Sequence, residues 1–459
     1  MLNPLIRRSS AGREITLDKL VRKRDFEARV SEHGQTMRPD ALTLVSGTEG
    51  SLDSILLVLP SLLLEADQYL SALSSLLEKI SDTPEILICT HFTPCAAIPP
   101  ALQNLLTVSG IDQARVTFVD LGELIAAPFA QDICIAAQSE TAFSKLLEPS
   151  RFIREGDAEI CDAIDENSGH VATTQLLEFQ GGNCLVSGEK ILLGFDHWDL
   201  TKQLNEEICL SSADVDVFSQ FERYLDSSRD IIRLGGDRVQ LPPVHFIQRE
   251  TEFLTYFEAH YLPIALIGNY QPLFHIDMFV TPLGNVEDLL TILVADPVET
   301  PRSGGINLLK DLPFSHVVDQ LESQRFNVIR NPITTAIAGK GRDVKVGNLL
   351  VSKTDDFKYI GEQAYSWGIS SETFVALRPH YIQSWNNVLV ERSPDGERVI
   401  MPTYNSSLDE QNRRIFESQK FTVDLLSDFS AFARLRGAAH CLVRDLKRGA
   451  SSSDLEGLT

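Results

Sequence analysis

The run Ser54-Ile55-Leu56-Leu57-Val58-Leu59, the stretch from Leu64 to Ile80, and the run Glu85-Ile86-Leu87-Ile88-Cys89-Thr90 decide the fold class. The two outer runs are short and apolar, bounded by Asp53, Pro60 and Pro84, which is the pattern of buried strands. Between them Leu70, Leu73, Leu76 and Leu77 recur at helical spacing, so one apolar stripe faces inward. Strand, helix, strand in that order predicts an α/β chain.

The same rhythm runs on. Strands are expected at 115–119, 132–137, 183–186, 190–195, 263–267, 275–281, 289–294, 344–351, 387–391, 399–401 and 421–424. Helices are expected at 205–223, 249–260, 314–324 and 408–420. Ser407 is the expected N-cap of the last helix, with Glu410 three residues on and Asp409 adding charge to the first turn. No strict sequence repeat is visible, but the strand-helix-strand rhythm suits a ring of similar units. Residues 1–40 read as a polar extension, 41–450 as the folded domain and 451–459 as a flexible tail.

At 459 residues and 43% hydrophobic content the chain can bury a large core. Its net charge of -23 argues against nucleic acid and anionic membrane as partners and weakly favours cationic ligands. No apolar run is long enough to span a bilayer, and Met1 to Lys19 carries no apolar signal core, so a cytoplasmic protein is expected. Seven cysteines stand at 89, 95, 134, 161, 184, 209 and 441 with no CxxC pair. Neither a disulfide framework nor a zinc site is expected, and most of these thiols read as small core residues. Cys441 differs: it follows Gly437-Ala438-Ala439-His440, small residues that let a ligand reach the sulfur. His440 or Arg444 would favour its thiolate.

Three other segments can carry chemistry. In Phe274-His275-Ile276-Asp277-Met278, read as a strand, His275 and Asp277 share a face and could supply a base and an anionic binding group. Gln180-Gly181-Gly182-Asn183 is a turn in which paired glycines allow close backbone approach. Phe129-Ala130-Gln131-Asp132 places an acid at the start of an apolar strand. Each alone also reads as ordinary structure.

Taken in order, these segments resemble the guanidino-group-modifying, or pentein, superfamily of arginine and agmatine deiminases, dimethylarginine hydrolases and amidinotransferases. That family's pattern is an acid after a Phe-(Thr/Ala)-Arg segment, a Glu-Gly-Gly-(Asp/Asn) turn, His-x-(Asp/Glu), and Gly-Gly-Gly-x-x-Cys near the end. Ser384-Trp385-Asn386-Asn387-Val388 and Met401-Pro402-Thr403-Tyr404 are similar to its last repeat. The ending His440-Cys441 with Asp445-Leu446-Lys447-Arg448-Gly449 looks most like amidinotransferases, and the Gly-Gly-Asn turn more like agmatine deiminases.

The resemblance spans residues 50 to 450 and implies a five-bladed, pseudo-symmetric α/β propeller with a central site. It implies a small guanidino substrate, arginine- or agmatine-like, and no metal or organic cofactor. Asp132, Asp277 and Asn183 would bind the substrate. Cys441 would attack the guanidinium carbon, and His275, supported at position 180, would move protons. Three positions depart from the pattern. Gln180 replaces the acid behind the histidine, with Glu178 a conceivable substitute; Gln131 replaces arginine; Ala438-Ala439 replace glycines. The leading expectation is a deiminase or dihydrolase. The alternatives are an amidinotransferase and a catalytically silent scaffold. A papain-like protease is disfavoured because its cysteine precedes its histidine.

Overall fold

A computed structural model describes residues 42–451, apart from 96, 125, 139–143, 151, 153, 155, 176, 208–216, 238, 240–267, 287–288, 301–308, 311 and 338–379. The expected N-terminal extension, the strands at 263–267 and 344–351 and the helix at 249–260 lie outside the described residues.

Seventeen strands are described. They are β1 (Leu52–Val58), β2 (Glu85–Thr90), β3 (Val116–Asp120), β4 (Ile135–Ala137), β5 (Lys145–Glu148), β6 (Val171–Thr174), β7 (Cys184–Ser187), β8 (Lys190–Gly194) and β9 (Asp230–Leu234). The chain continues with β10 (Val280–Val286), β11 (Leu289–Pro297), β12 (Asn327–Ile337), β13 (His380–Ser384), β14 (Leu389–Ser393), β15 (Gly396–Thr403), β16 (Thr422–Asp428) and β17 (Val443–Arg448). They form five small sheets, ordered β17-β1-β2-β3, β4-β5-β6, β7-β8-β9, β10-β11-β12-β13 and β14-β15-β16.

Every sheet contains the same unit: one antiparallel pair followed by a parallel one. β4/β5, β7/β8, β10/β11, β14/β15 and β17/β1 are antiparallel. β5/β6, β8/β9, β11/β12, β15/β16 and β1/β2 are parallel. A parallel neighbour needs a crossover, and helices supply it. These are α1 (Ser61–Leu64) with α2 (Asp67–Lys79), then α3 (Pro100–Val108), α4 (Asp157–Ser168), α5 (Phe195–Glu207) with α6 (Val217–Tyr224), α7 (Phe314–Ser323) and α8 (Ser407–Ser418). The last strand, β17, pairs with the first, so the ring closes between chain ends. The fold is a five-bladed α/β propeller, with a unit period too diverged to see as repeated sequence.

Packing explains the helices. In α2 the buried residues are Tyr69, Ala72, Leu73, Leu76 and Leu77, an i, i+3, i+4, i+7, i+8 stripe. Each large member contributes roughly 1.5–3 kcal/mol of burial. The helix expected from Leu64 divides at Glu65 and Ala66, between α1 and α2. The expected cap of α8 is displaced by one residue. Ser406, not Ser407, caps it, accepting from Leu408 N while Asp409 Oδ2 accepts from Ser406 N at 2.8 Å. Both serines satisfy the spacing, and Asp409 breaks the tie because its Oδ1 also accepts from Trp385 Nε1 (2.9 Å) and Tyr404 N (3.0 Å).

Three expected strand starts are instead single turns of 3-10 helix, at Ala130–Asp132, Gly181–Asn183 and Ile276–Met278. Each stands just before the first strand of its blade. The short helix α10 (Ala439–Leu442), which follows α9 (Ser430–Arg434), likewise precedes β17. Residues 385–388 precede β14 in the same way.

Candidate active site

Because every blade enters its first strand from the same end of the ring, those five entry turns meet at one place. They bring together Asp132, the Gln180–Asn183 turn, His275 with Asp277, Asn387, and His440 with Cys441, all buried. The expected same-face strand for His275 and Asp277 is corrected to a 3-10 turn. The environments still alternate: Ile276 and Met278 enter the core while His275 and Asp277 turn to the centre.

His275 Nε2 lies 2.6 Å from Gln180 Oε1. An amide oxygen only accepts, so Nε2 carries the hydrogen and the Nδ1 lone pair faces the site. Nδ1 is 3.4 Å from Asp132 Oδ1. Burial pulls the imidazole down to about 4; the Asp277 carboxylate only partly opposes this, and the Arg154 and His440 charges add to it. His275 is therefore neutral at pH 7. The position behind it is held by Gln180, not by Glu178.

Gly182 marks the middle of the site. A Cβ there would lie 2.8 Å from His275 Nδ1, 3.1 Å from Asp132 Oδ1 and 3.2 Å from Asp277 Oδ1. None of these three buried acceptors has a hydrogen-bond donor among the described residues. Gly181 is equally constrained, since a Cβ would fall 2.0 Å from Gln131 O. Three acceptors around one point suit a ligand that only donates.

Cys441 Sγ accepts from Asn387 Nδ2 at 3.1 Å, and Asn387 Oδ1 accepts from Cys441 N at 3.1 Å. The sulfur is 3.7 Å from Asp277 Oδ2. Burial and then the Asp277 and Asp132 carboxylates push the thiol well above its ordinary range. The protein alone thus holds Cys441 as a thiol. Asn387 is fixed through its neighbours. Buried Trp385 packs edge-on against Tyr404 at 5.1 Å, and Thr281 Oγ1 donates to Asn386 O at 2.7 Å.

Two contacts escaped the sequence reading. His440 Nδ1 lies 2.9 Å from Asp277 Oδ2, and its Nε2 lies 3.3 Å from Gln131 Nε2. Gln131 thus supports the residue beside the thiol. Arg154, in a segment with no motif, lies 3.3 Å from Asp132 Oδ2 and 2.9 Å from Asp157 Oδ2. Burial works against its charge, but Asp157 and Asp132 outweigh it and raise its pKa. Two arginines, Arg151 and Arg154, stand among acids in this segment, and nothing in the sequence distinguishes the one that reaches Asp132.

Asn183 stands apart from the other expected binding residues. It is fully buried, and its Oδ1 accepts from Gln271 Nε2 (2.8 Å) and Ile276 N (3.0 Å). It ties the turn after His275 to its own. Among the described residues no group of three His, Cys, Asp or Glu side chains is arranged to hold a metal ion. None of the described helices is long and apolar enough to cross a membrane.

The sequence matches no family model and no curated protein sequence. The structure resembles a crystal structure described as a candidate peptidyl-arginine deiminase, at 12% identity and TM-score 0.54, covering 90% of this chain and all of the other. An agmatine deiminase from C. jejuni aligns at 12% identity and TM-score 0.49, over 89% of this chain and 96% of its own. A dimethylarginine hydrolase (DDAH) from Pseudomonas aeruginosa aligns more loosely, at 13% identity and TM-score 0.35, over 86% of this chain and 99% of its own. The fold implied by the ordered motifs is the fold the chain has: a five-bladed α/β propeller of the pentein type.

Proposed function

We propose that this protein is a cysteine-dependent hydrolase of a small guanidino compound, arginine- or agmatine-like. The observation that carries this reading is the convergence of His275 Nδ1, Asp132 Oδ1 and Asp277 Oδ1, three acceptors without donors, beside the Cys441 sulfur. Guanidinium is planar, permanently charged and has only donors, which is the complement of that arrangement.

The chemistry follows from the charges. A bound guanidinium neutralises Asp132 and Asp277, removing two of the causes that hold Cys441 protonated. The thiol proton passes to His275 Nδ1, and the thiolate attacks the guanidinium carbon to give a tetrahedral adduct. His275 then protonates one nitrogen, which leaves as ammonia or an amine, and a covalent thiouronium remains. Water, deprotonated by His275, adds to that carbon, and Cys441 departs as the ureido product forms. Gln180 orients the imidazole without a charge, so His275 stays a weak base that the substrate complex must recruit. Asn183, through Ile276 N, acts as a positioning residue. Arg154 holds the outer oxygen of Asp132, leaving the inner one for substrate.

The test is turnover of arginine, agmatine and guanidino acids, assayed for ammonia and ureido product, with amidine transfer to glycine followed in parallel. Ammonia release lost in Cys441→Ser supports the reading. Transfer to glycine without ammonia would assign the amidinotransferase alternative, and neither activity would leave a silent scaffold.

A further inference from the structure

The residue that orients His275 is itself held from outside the site. Gln180 ends the stretch Glu178-Phe179-Gln180, which lies between β6 and β7 and belongs to no described strand. Its backbone is nevertheless extended, with φ -135° and ψ 146° at Gln180. Buried amides in such a stretch need partners from elsewhere, and two side chains of α5 supply them. Gln180 N donates to His197 Nδ1 at 3.1 Å, and Glu178 N donates to Thr201 Oγ1 at 3.0 Å. The Thr201 hydroxyl in turn lies 3.4 Å from Glu178 O. His197 and Thr201 are buried, whereas Lys202 and Gln203 of the same helix are exposed. The spacings agree: four residues of helix rise about 6 Å, and two of an extended chain advance about 6.6–6.8 Å. Side chains one helical turn apart therefore meet alternate amides of the stretch.

We propose that His197 is a positioning residue for the reaction: by gripping the backbone of Gln180, with Thr201 as the second grip, it keeps His275 in the form whose Nδ1 is free to act as base. The catalytic consequence rests on the hydrolase reading; the clamp itself does not. A backbone amide only donates, so His197 Nδ1 carries no hydrogen and Nε2 does. Burial, and then the His275 charge, pull its pKa well below the usual range, so this acceptor persists at pH 7. The His197 ring also meets the His275 ring edge-on, with centroids 6.3 Å apart. On the far side of His275, Asp132 Oδ1 lies 3.4 Å from Nδ1. If Gln180 Oε1 withdraws from Nε2, that carboxylate draws the hydrogen to Nδ1, and the lone pair that would take the thiol proton is lost.

The test labels the histidine ring nitrogens of the full chain isotopically and reads the tautomer of His275 by NMR, its signals assigned by their loss in His275→Asn. In the unaltered protein Nε2 should carry the hydrogen. His197→Leu should shift hydrogen to Nδ1 and lower kcat on the guanidino substrate about tenfold or more, with KM changed less than about twofold. His197→Asn, whose amide oxygen can accept from Gln180 N, should restore both. An unmoved tautomer or an unchanged kcat in His197→Leu, or a His197→Asn as impaired as the leucine variant, would overturn the proposal. If His197→Leu does not fold, Thr201→Val decides by the same readouts, and an unmoved tautomer there would overturn it. Should the unaltered protein turn over no guanidino compound, the hydrolase reading fails, while the tautomer in the free protein still decides the clamp.

Discussion

The imidazole of His275 donates from Nε2 to the side-chain oxygen of Gln180, 2.6 Å away, so the proposed general base is oriented by a neutral amide. Replacing that amide by a carboxylate isolates the contribution of charge. In Gln180→Glu the new anion stabilises imidazolium, and the ionisation of His275 should rise by roughly 1–3 pH units. The acid limb of kcat/KM against pH should move up with it, as should the histidine's NMR titration. An unmoved profile would mean that His275 does not control the rate.

The depressed histidine also predicts a pH dependence of stability. An unfolded chain protonates this imidazole near pH 6.5, whereas the folded one does so only near 4. Between those values the unfolded state binds more protons, so stability is full above 6.5 and falls as pH drops towards 4. Burial raises Asp132 and Asp157 (the latter to about 6), with their arginine partner opposing; these acids act in the opposite sense. Comparison with His275→Asn cancels them. Relative to that variant, the unaltered protein should lose about 3 kcal/mol between pH 7 and 4 in urea melts.

Asn387 grips Cys441 at both its amide and its sulfur. Asn387→Ala should lower kcat roughly tenfold to a hundredfold, the equivalent of one or two hydrogen bonds to a reacting group. Asn387→Asp should fall further, because a second anion beside the sulfur opposes the thiolate. Iodoacetamide labelling of Cys441 against pH would report the same order.

Gly182→Ala tests the converging acceptors directly. Its Cβ would sit within 3.2 Å of His275 Nδ1, Asp132 Oδ1 and Asp277 Oδ1, where the guanidinium is proposed to lie. Turnover should fall at least about a hundredfold, while the far-UV spectrum stays that of the parent. Near-normal activity would place the substrate elsewhere.

Much of this site is legible in the sequence because it hangs on short entry turns whose residues are contiguous. Alternation pairs His275 with Asp277, and the pairing holds although their segment is a 3-10 turn, since Ile276 and Met278 must still reach the core. Periodicity also found α2 and α7. What stayed hidden depends on distant packing. Arg154 meets Asp132 only after α4 folds back, and His440 meets Asp277 only when the last blade closes on the first. Sequence pattern does not single out β5, β6, β9, β12, β13 or β17, because in these small sheets several are only four to six residues long and carry no full alternation. The choice of Ser406 over Ser407 rested on Trp385 and Tyr404 claiming Asp409.

The central claim is that Cys441 forms a covalent bond to a guanidinium carbon. Its most direct measurement is intact and peptide mass spectrometry after acid quench of the protein turning over arginine or agmatine. The account predicts a thiouronium adduct on the peptide bearing Cys441, absent from Cys441→Ser and diminished in His275→Asn, which can neither take the thiol proton nor protonate the leaving nitrogen. Product formation that persists in Cys441→Ser, with no adduct on Cys441 in the unaltered protein, would contradict it.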